Sequence, residues 1–168
     1  STDIVSEGNL IYMSTIEGSN NLYLMNAVAQ IDETKYYTLQ EAVDAGNGET
    51  INVIGNTTEV INIADNAVID LNFSEGVTLN GYFAPFKGSL TIKNGTINNE
   101  NASYSAIEIN AGTLVLNDVK VTSKRHGVRI DGAVTATIEG GEYRLSAKSG
   151  TRHAVNVSGD ANVTIKAG

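Results

Sequence analysis

Short runs in which apolar and polar residues alternate recur along most of the chain. In Val128-Arg129-Ile130 every second residue is apolar, and GSLTIKNG from Gly88 shows the same alternation. A period of two indicates a strand with one buried side and one wet side. None of the runs has the three- and four-residue apolar spacing of a helix. The pattern predicts short β-strands joined by turns rich in Gly, Asn, Asp and Ser.

The alternating runs repeat at intervals of about 23 residues, in two independent columns. One column ends at Leu71, Ile92, Leu116, Ile138 and Ile165, and the other ends at Ile63, Phe86, Ile109, Ile130 and Val157. Such a period indicates coils of two or three strands that bury their apolar side by stacking on one another. We therefore predict an all-β fold, a right-handed parallel β-helix of about five to six coils. An antiparallel sandwich is the alternative, although its frequent hairpins would not produce a coil-length period.

The segment KYYTLQEAVDAGNGETINVIG, which starts at Lys35, predicts a helix followed by a strand. Thr38 and Glu41 match the S/T-x-x-E capping box, and Gly46 is a natural helix end. An amphipathic helix before the first strand can cover the open end of a solenoid. We expect a capping helix in residues 35–48 and β-helix coils in residues 49–168.

The same region resembles the opening of pectate-lyase-like β-helix regions in bacterial surface proteins. The resemblance covers roughly residues 27 to 55 and implies the fold and its N-terminal cap. Regions of this kind occur in lyases, adhesins and stalks, so the resemblance implies no single activity. The matching residues are Tyr36, Thr38, Leu39, Glu41, Ala42, Val43, Ala45, Gly48, Glu49, Thr50 and Ile51.

The two ends of the chain carry weaker patterns. Residues 1–34 contain the strand-like runs GNLIYMSTIEG and NNLYLMN around a Gly-Ser-Asn-Asn turn. They predict a strand or hairpin segment that packs on the cap, or the tail of a preceding domain. After the last run, VTIK, no second capping pattern follows. We expect the coils to be truncated there and further domains to belong to the same polypeptide.

Composition narrows the function classes. No apolar stretch reaches the roughly 18 residues of a membrane span, so we expect no membrane insertion. Eleven basic and 19 acidic residues give a net charge of −8, which argues against nucleic-acid binding. The absence of cysteine excludes disulfides and thiolate metal sites. Together with the resemblance, this composition suggests an extracellular or cell-surface bacterial protein.

Two similar stretches, RHGVRIDG and RHAVNVSG, place Arg-His pairs in equivalent positions of successive coils. We define the basic strip as Arg125, His126, Arg129, Arg152 and His153. Arginine engages carboxylates in a forked geometry, so the strip is a candidate site for uronates or other acidic sugars. Turn packing without any ligand would explain the same recurrence, with the histidines half-buried at a corner. Catalysis is a third interpretation.

We expect a non-catalytic structural or adhesive module that presents a face to glycans or to a host or matrix surface, without a cofactor. The first alternative is a polysaccharide lyase or a related carbohydrate-active enzyme, such as a glycoside hydrolase, that acts on acidic polysaccharide. Pectate lyases, to which the fold is similar, use an arginine base and calcium, so calcium enters only under this alternative. In the outward column with Arg129 only Glu108 is acidic, fewer carboxylates than a calcium site needs. The second alternative is a trimeric phage tail fibre or spike component.

Aromatic residues form one further candidate surface. They could offer faces for sugar stacking, although packing in the core and cap accounts for them more simply. They are Tyr36, Tyr37, Tyr82, Phe83 and Phe86.

Overall fold

A computed structural model describes residues 4–6, 9–11, 26–147 and 150–166 of the chain. The described residues form one short helix and a series of β-strands. The elements are β1 (Ile4–Ser6), β2 (Asn9–Ile11), β3 (Ala29–Ile31), β4 (Thr34–Tyr36), α1 (Leu39–Ala45), β5 (Thr50–Val53), β6 (Thr57–Ile61), β7 (Val68–Phe73), β8 (Thr78–Phe83), β9 (Phe86–Lys93), β10 (Thr96–Asn99), β11 (Ile107–Asn117), β12 (Lys120–Ser123), β13 (Val128–Glu139), β14 (Glu142–Leu145), β15 (Val155–Ser158) and β16 (Asn162–Lys166).

The strands from β5 onward stack as a parallel β-helix of about four turns. The long-strand sheet contains β5, β7, β9, β11 and β13 in order, and both β15 and β16 pair with β13. The short-strand sheet contains β6, β8, β10, β12 and β14. The turns are fewer than the five to six predicted. The last coil, which holds β15 and β16, has no short strand among the described residues.

The two predicted apolar columns lie in register. Leu71, Ile92, Leu116, Ile138 and Ile165 pair one with the next in successive strands. Phe86, Ile109, Ile130 and Val157 form the second column in the same way. Ile63 is buried but follows the end of β6, outside the paired strands. Stacking of these side chains therefore fills one continuous core as far as Ile130 and Ile138, whereas Val157 and Ile165 at the ends of the columns are exposed.

Each complete coil has three strand segments. The long strands β11 and β13 carry both predicted columns, and their pairing shifts by one residue between Ile109 and Ala111. This bulge lets one strand bend and contribute to two sides of the coil. The short strands form the third side, with Leu79, Ile97 and Val121 in register and buried.

Neighbouring coils leave no room for a side chain at Gly112. Gly112 pairs with Gly88, and its backbone φ of 109° is one that residues with a Cβ atom rarely adopt. A Cβ atom at position 112 would lie 2.0 Å from the carbonyl oxygen of Gly88. The bend in β11 therefore requires glycine at this position.

The N-terminal cap consists of α1 and the β3–β4 hairpin. Thr38 and Glu41 form the predicted capping box, and Gly46 ends the helix. Leu39, Ala42 and Val43 are buried against the first coil. The helix is shorter than the predicted segment 35–48, because residues 34–36 pair with β3 instead. Among the described residues, no helix has the length and apolar character needed to cross a membrane.

Glu59 ties the cap to the first short strand. Its carboxylate accepts hydrogen bonds from the backbone N–H groups of Leu39 (2.8 Å) and Gln40 (3.0 Å), and from the hydroxyl of Thr57. These N–H groups have no partner within the helix, so an anionic acceptor is well suited to them. Glu59 therefore acts as a second cap, supplied from 20 residues away.

The N-terminal segment is described only in part. β1 and β2 form an antiparallel hairpin in which Ile4 pairs with Ile11. Of the two strand-like runs predicted there, residues 9–11 and 26 are described, and the remaining residues of both runs lie outside the described ranges.

Candidate functional site

Four residues of the basic strip lie at one corner of the solenoid, just before β13 and β15, and the fifth, Arg129, lies at the start of β13. Ile107, Val128 and Val155 pair in successive strands. The backbone N–H of Gly127 donates to the carbonyl oxygen of His153 one coil away (3.1 Å). The register therefore places Arg125 beside Arg152 and His126 beside His153, as predicted, and Tyr104-Ser105 in the same positions one coil earlier.

The two histidines stack on each other. Their ring centroids are 5.7 Å apart, with ring planes 2° from parallel. His126 is 7% exposed, and its Nδ1 accepts a hydrogen bond from the backbone N–H of His153 (3.1 Å). Burial lowers the pKa of His126 below 6.5. Electrostatic interactions with Arg125, His153 and Arg129 lower this pKa further, and Glu108 opposes them. His126 is therefore mainly a neutral structural element of the corner.

Arg129 is held by acidic neighbours. Its guanidinium bonds Glu108 Oε1 at 3.2 Å and Asp131 Oδ2 at 2.9 Å, and the other oxygen of Glu108 accepts from the hydroxyl of Ser105. The two carboxylates neutralise Arg129, so it is a poor partner for a further anion. The sequence placed Glu108 and Arg129 in one outward column, but it did not show that they neutralise each other.

Arg125 and Arg152 are the cations of the strip without an acidic partner in the described ranges. The guanidinium of Arg152 donates to the carbonyl oxygen of Lys124, and that bond leaves its positive charge uncompensated. The neighbouring Lys124 pairs with Glu100 at 2.5 Å. A pair of arginines in successive coils, about 4.8 Å apart along the stack, is thus the open cationic feature of the corner.

Two tyrosines precede the arginines along the same corner. The rings of Tyr82 and Tyr104 stack with centroids 5.0 Å apart and planes 7° from parallel. Tyr104 is 45% exposed, and Tyr82 is half-buried. Tyr82 therefore lies partly at the surface, whereas Phe83 and Phe86 are buried core residues.

Next to this corner, the outer face of the short-strand sheet forms an open groove of about 370 Å³. It crosses β6, β8 and β10, where Thr58 pairs with Asn80 and Asn80 with Asn98. Val60 and Tyr82 form a parallel apolar row in the groove. The groove was not predictable from the sequence, because Thr58, Asn80 and Asn98 on its floor look like ordinary exposed strand residues.

The loop that borders the groove is built on one buried amide. The side chain of Asn99, 1% exposed, donates to the carbonyl oxygen of Tyr104 (2.7 Å) and to Ser123 Oγ (3.1 Å). Its oxygen accepts from the backbone N–H of Asn101 (2.9 Å), and the oxygen of Asn101 accepts from Ser103 (2.8 Å). These bonds fix residues 100–104 as a preformed wall.

Within the described residues, no three His, Cys, Asp or Glu side chains come together in a way that could hold a metal ion. Glu108 and Asp131, the carboxylates nearest the basic strip, are both engaged by Arg129.

The strand pairing establishes a parallel β-helix, whereas the narrower pectate-lyase-like assignment stays a prediction, since no protein-family model, no curated protein and no solved structure matches the chain.

Proposed function

We propose that the chain is a non-catalytic β-helix module of an extracellular or cell-surface bacterial protein, structural or adhesive in role, which binds acidic glycans at the basic strip. The observation that supports this most directly is the Arg125–Arg152 pair. Both residues are partly exposed and lack acidic partners in the described ranges, on a chain of net charge −8. Two cations without carboxylate partners attract a carboxylated ligand locally, against the repulsion from the net negative charge of the chain.

The strip suits a repeating acidic polymer. Two guanidinium groups one coil apart can each engage a carboxylate in a forked geometry. The stacked histidines and the Arg129 ion pairs hold the corner rigid beneath them. A rigid corner loses little conformational freedom on binding, which favours affinity.

The lyase alternative has less support. β-Elimination needs a base together with a group that neutralises the uronate carboxylate. Arg129, the arginine in the outward column, is engaged by two carboxylates. Its guanidinium is therefore not free to remove a proton from a uronate. A lyase would release unsaturated uronides, so an ultraviolet assay on polygalacturonate with added calcium tests this alternative directly.

The binding proposal is tested by isothermal titration calorimetry with hexagalacturonate. We expect binding that weakens as ionic strength rises to about 0.15 M, because salt screens exposed charges. Combining Arg125→Ala with Arg152→Ala should weaken binding at least about tenfold, the effect of losing roughly 1.4 kcal/mol. The matched control combines Lys87→Ala with Lys120→Ala, which removes the same charge from exposed positions outside the strip. Equal affinities for the two double variants, or no binding at low salt, would overturn the proposal.

A further inference from the structure

The groove on the short-strand sheet is separate from the arginine pair and has different chemistry. Three polar side chains, Thr58, Asn80 and Asn98, follow one another along the stack, next to the row of Val60 and Tyr82. The volume of about 370 Å³ lies within the range of small-ligand sites, roughly 300–1,000 Å³. A ligand here would lie along the solenoid axis and contact three coils.

The carboxylates of this groove are already engaged. Glu59 accepts two backbone hydrogen bonds from the start of α1, and Glu100 pairs with Lys124 at 2.5 Å. No other charged residue lines the groove within the described ranges. A charged ligand would lose its hydration here without gaining an opposite charge, which is costly. The groove therefore favours an uncharged ligand.

The polar groups that remain are free amides. Within the described ranges, no protein group bonds the side chains of Asn80 and Asn98, and each offers a carbonyl acceptor and two N–H donors. Beside them, Tyr82 and the 43% exposed Val60 present apolar surface. The complementary ligand has many hydroxyl groups on its edges and an apolar ring face, which is the chemistry of a neutral pyranose.

The groove is also preformed. The loop that carries Glu100 and Asn101 is fixed by the buried side chain of Asn99. Tyr82 is held by its stack on Tyr104. Because these groups are already ordered, a ligand would pay little to order the site on binding.

From this geometry we infer that the groove is a binding site for neutral oligosaccharide, with the apolar surface of Tyr82 and Val60 packing against a sugar ring and Asn80 and Asn98 bonding its hydroxyl groups. This goes beyond the proposed function, which concerns acidic glycans at the basic strip. The two sites are adjacent, since Lys124 lies beside Arg125 and pairs with Glu100 of the groove wall. A glycan with neutral and acidic units could occupy both.

The test is calorimetric titration of the full chain with three neutral probes: cellohexaose, mannohexaose and xylohexaose. We expect at least one to bind, with an affinity that hardly changes with salt. Tyr82→Ala should weaken that binding at least about tenfold, whereas Tyr82→Phe, which keeps the ring, should remain within about threefold. Combining Asn80→Ala with Asn98→Ala should also weaken binding, and these outward-facing changes leave the core intact.

Thr122→Ala is the matched control, because Thr122 is the next residue in the same column but lies outside the groove. The Arg125→Ala and Arg152→Ala pair should leave neutral binding unchanged, so failure of the acidic-glycan proposal is distinguishable from failure here. Absence of binding by all three probes would overturn the inference. Binding that survives both Tyr82→Ala and the Asn80→Ala, Asn98→Ala combination would overturn it equally.

Discussion

The imidazole Nδ1 of His126 accepts a hydrogen bond from the backbone N–H of His153 at 3.1 Å, one coil further along the stack. An accepting Nδ1 carries no proton, so the bond requires the neutral ring with its proton on Nε2. Protonation of His126 at Nδ1 would break this bond, because two N–H donors, His126 Nδ1 and the backbone N–H of His153, would then face each other. It would also place positive charge next to Arg125 and Arg129, which Glu108 only partly offsets.

We predict that the chain loses stability as pH falls below 6.5. Because the pKa of His126 is lowered in the folded state, the unfolded chain takes up the proton first. The free energy of unfolding is then highest above pH 6.5 and declines as the pH drops toward the folded pKa. Urea unfolding followed by circular dichroism between pH 5 and 8 measures this slope.

His126→Gln provides the control for this pH prediction, because glutamine cannot titrate. We expect the variant to show a smaller slope below pH 6.5 than the wild type. Equal slopes would show that other groups control stability in this interval.

Leu116→Ala should lower the free energy of unfolding by about 3 kcal/mol, because it leaves a cavity in the middle of the core column. Ile165→Ala is the matched control, since Ile165 ends the same column but is 66% exposed. Its expected cost is only about 0.5 kcal/mol. Urea midpoints of the two variants measure the difference, and equal losses would contradict a stacked core.

Glu59→Ala should destabilise the cap by about 2 kcal/mol, because two N–H groups at the start of α1 lose a charged acceptor. Amide hydrogen exchange should show faster exchange at Leu39 and Gln40 in this variant. Glu75→Ala, which removes the same charge from an exposed turn, should have little effect on either measurement. Unchanged protection at Leu39 in Glu59→Ala would count against the proposed cap.

Gly112→Ala should cost at least about 2 kcal/mol, because alanine is strained at a φ of 109° and its Cβ would collide with Gly88. Gly150→Ala should change stability by no more than about 0.5 kcal/mol, because nothing lies within 4 Å of a Cβ added there. Thermal unfolding of both variants is the measurement. Similar melting temperatures for the two would show that β11 can relax around the substitution.

The sequence predicted those parts of the fold that depend on a repeated apolar residue. The column from Leu71 to Ile165 was visible because burial of one strand face makes every second residue of a strand apolar. The same position is then apolar again in the next coil, about 23 residues later. The capping box was visible because Thr38 and Glu41 are three residues apart. Local and strictly periodic constraints leave a pattern in the sequence.

Features that depend on single long-range contacts were not predictable. The short-strand sheet includes segments such as residues 96–99 and 120–123, which are too short and polar to show an alternation. Glu59 caps a helix 20 residues earlier, and nothing in its neighbourhood indicates that partner. At the candidate site the register of the Arg-His pairs was predicted, but the neutralisation of Arg129 and the anchoring role of Asn99 depend on side-chain geometry alone.

The in-register pairing of coils also governs how such a chain tolerates changes in length. The spacing from Ile107 to Val128 is 21 residues and that from Val128 to Val155 is 27, yet both pairs occupy the same rung positions. Five of the six additional residues fall between β14 and β15, outside the paired strands, and the sixth is the extra residue of β13 at its bulge. Insertions at such a corner can therefore enlarge one side of the solenoid while the strands keep their pairing register. Duplicating a whole coil would instead displace everything downstream by one fixed step of about 4.8 Å.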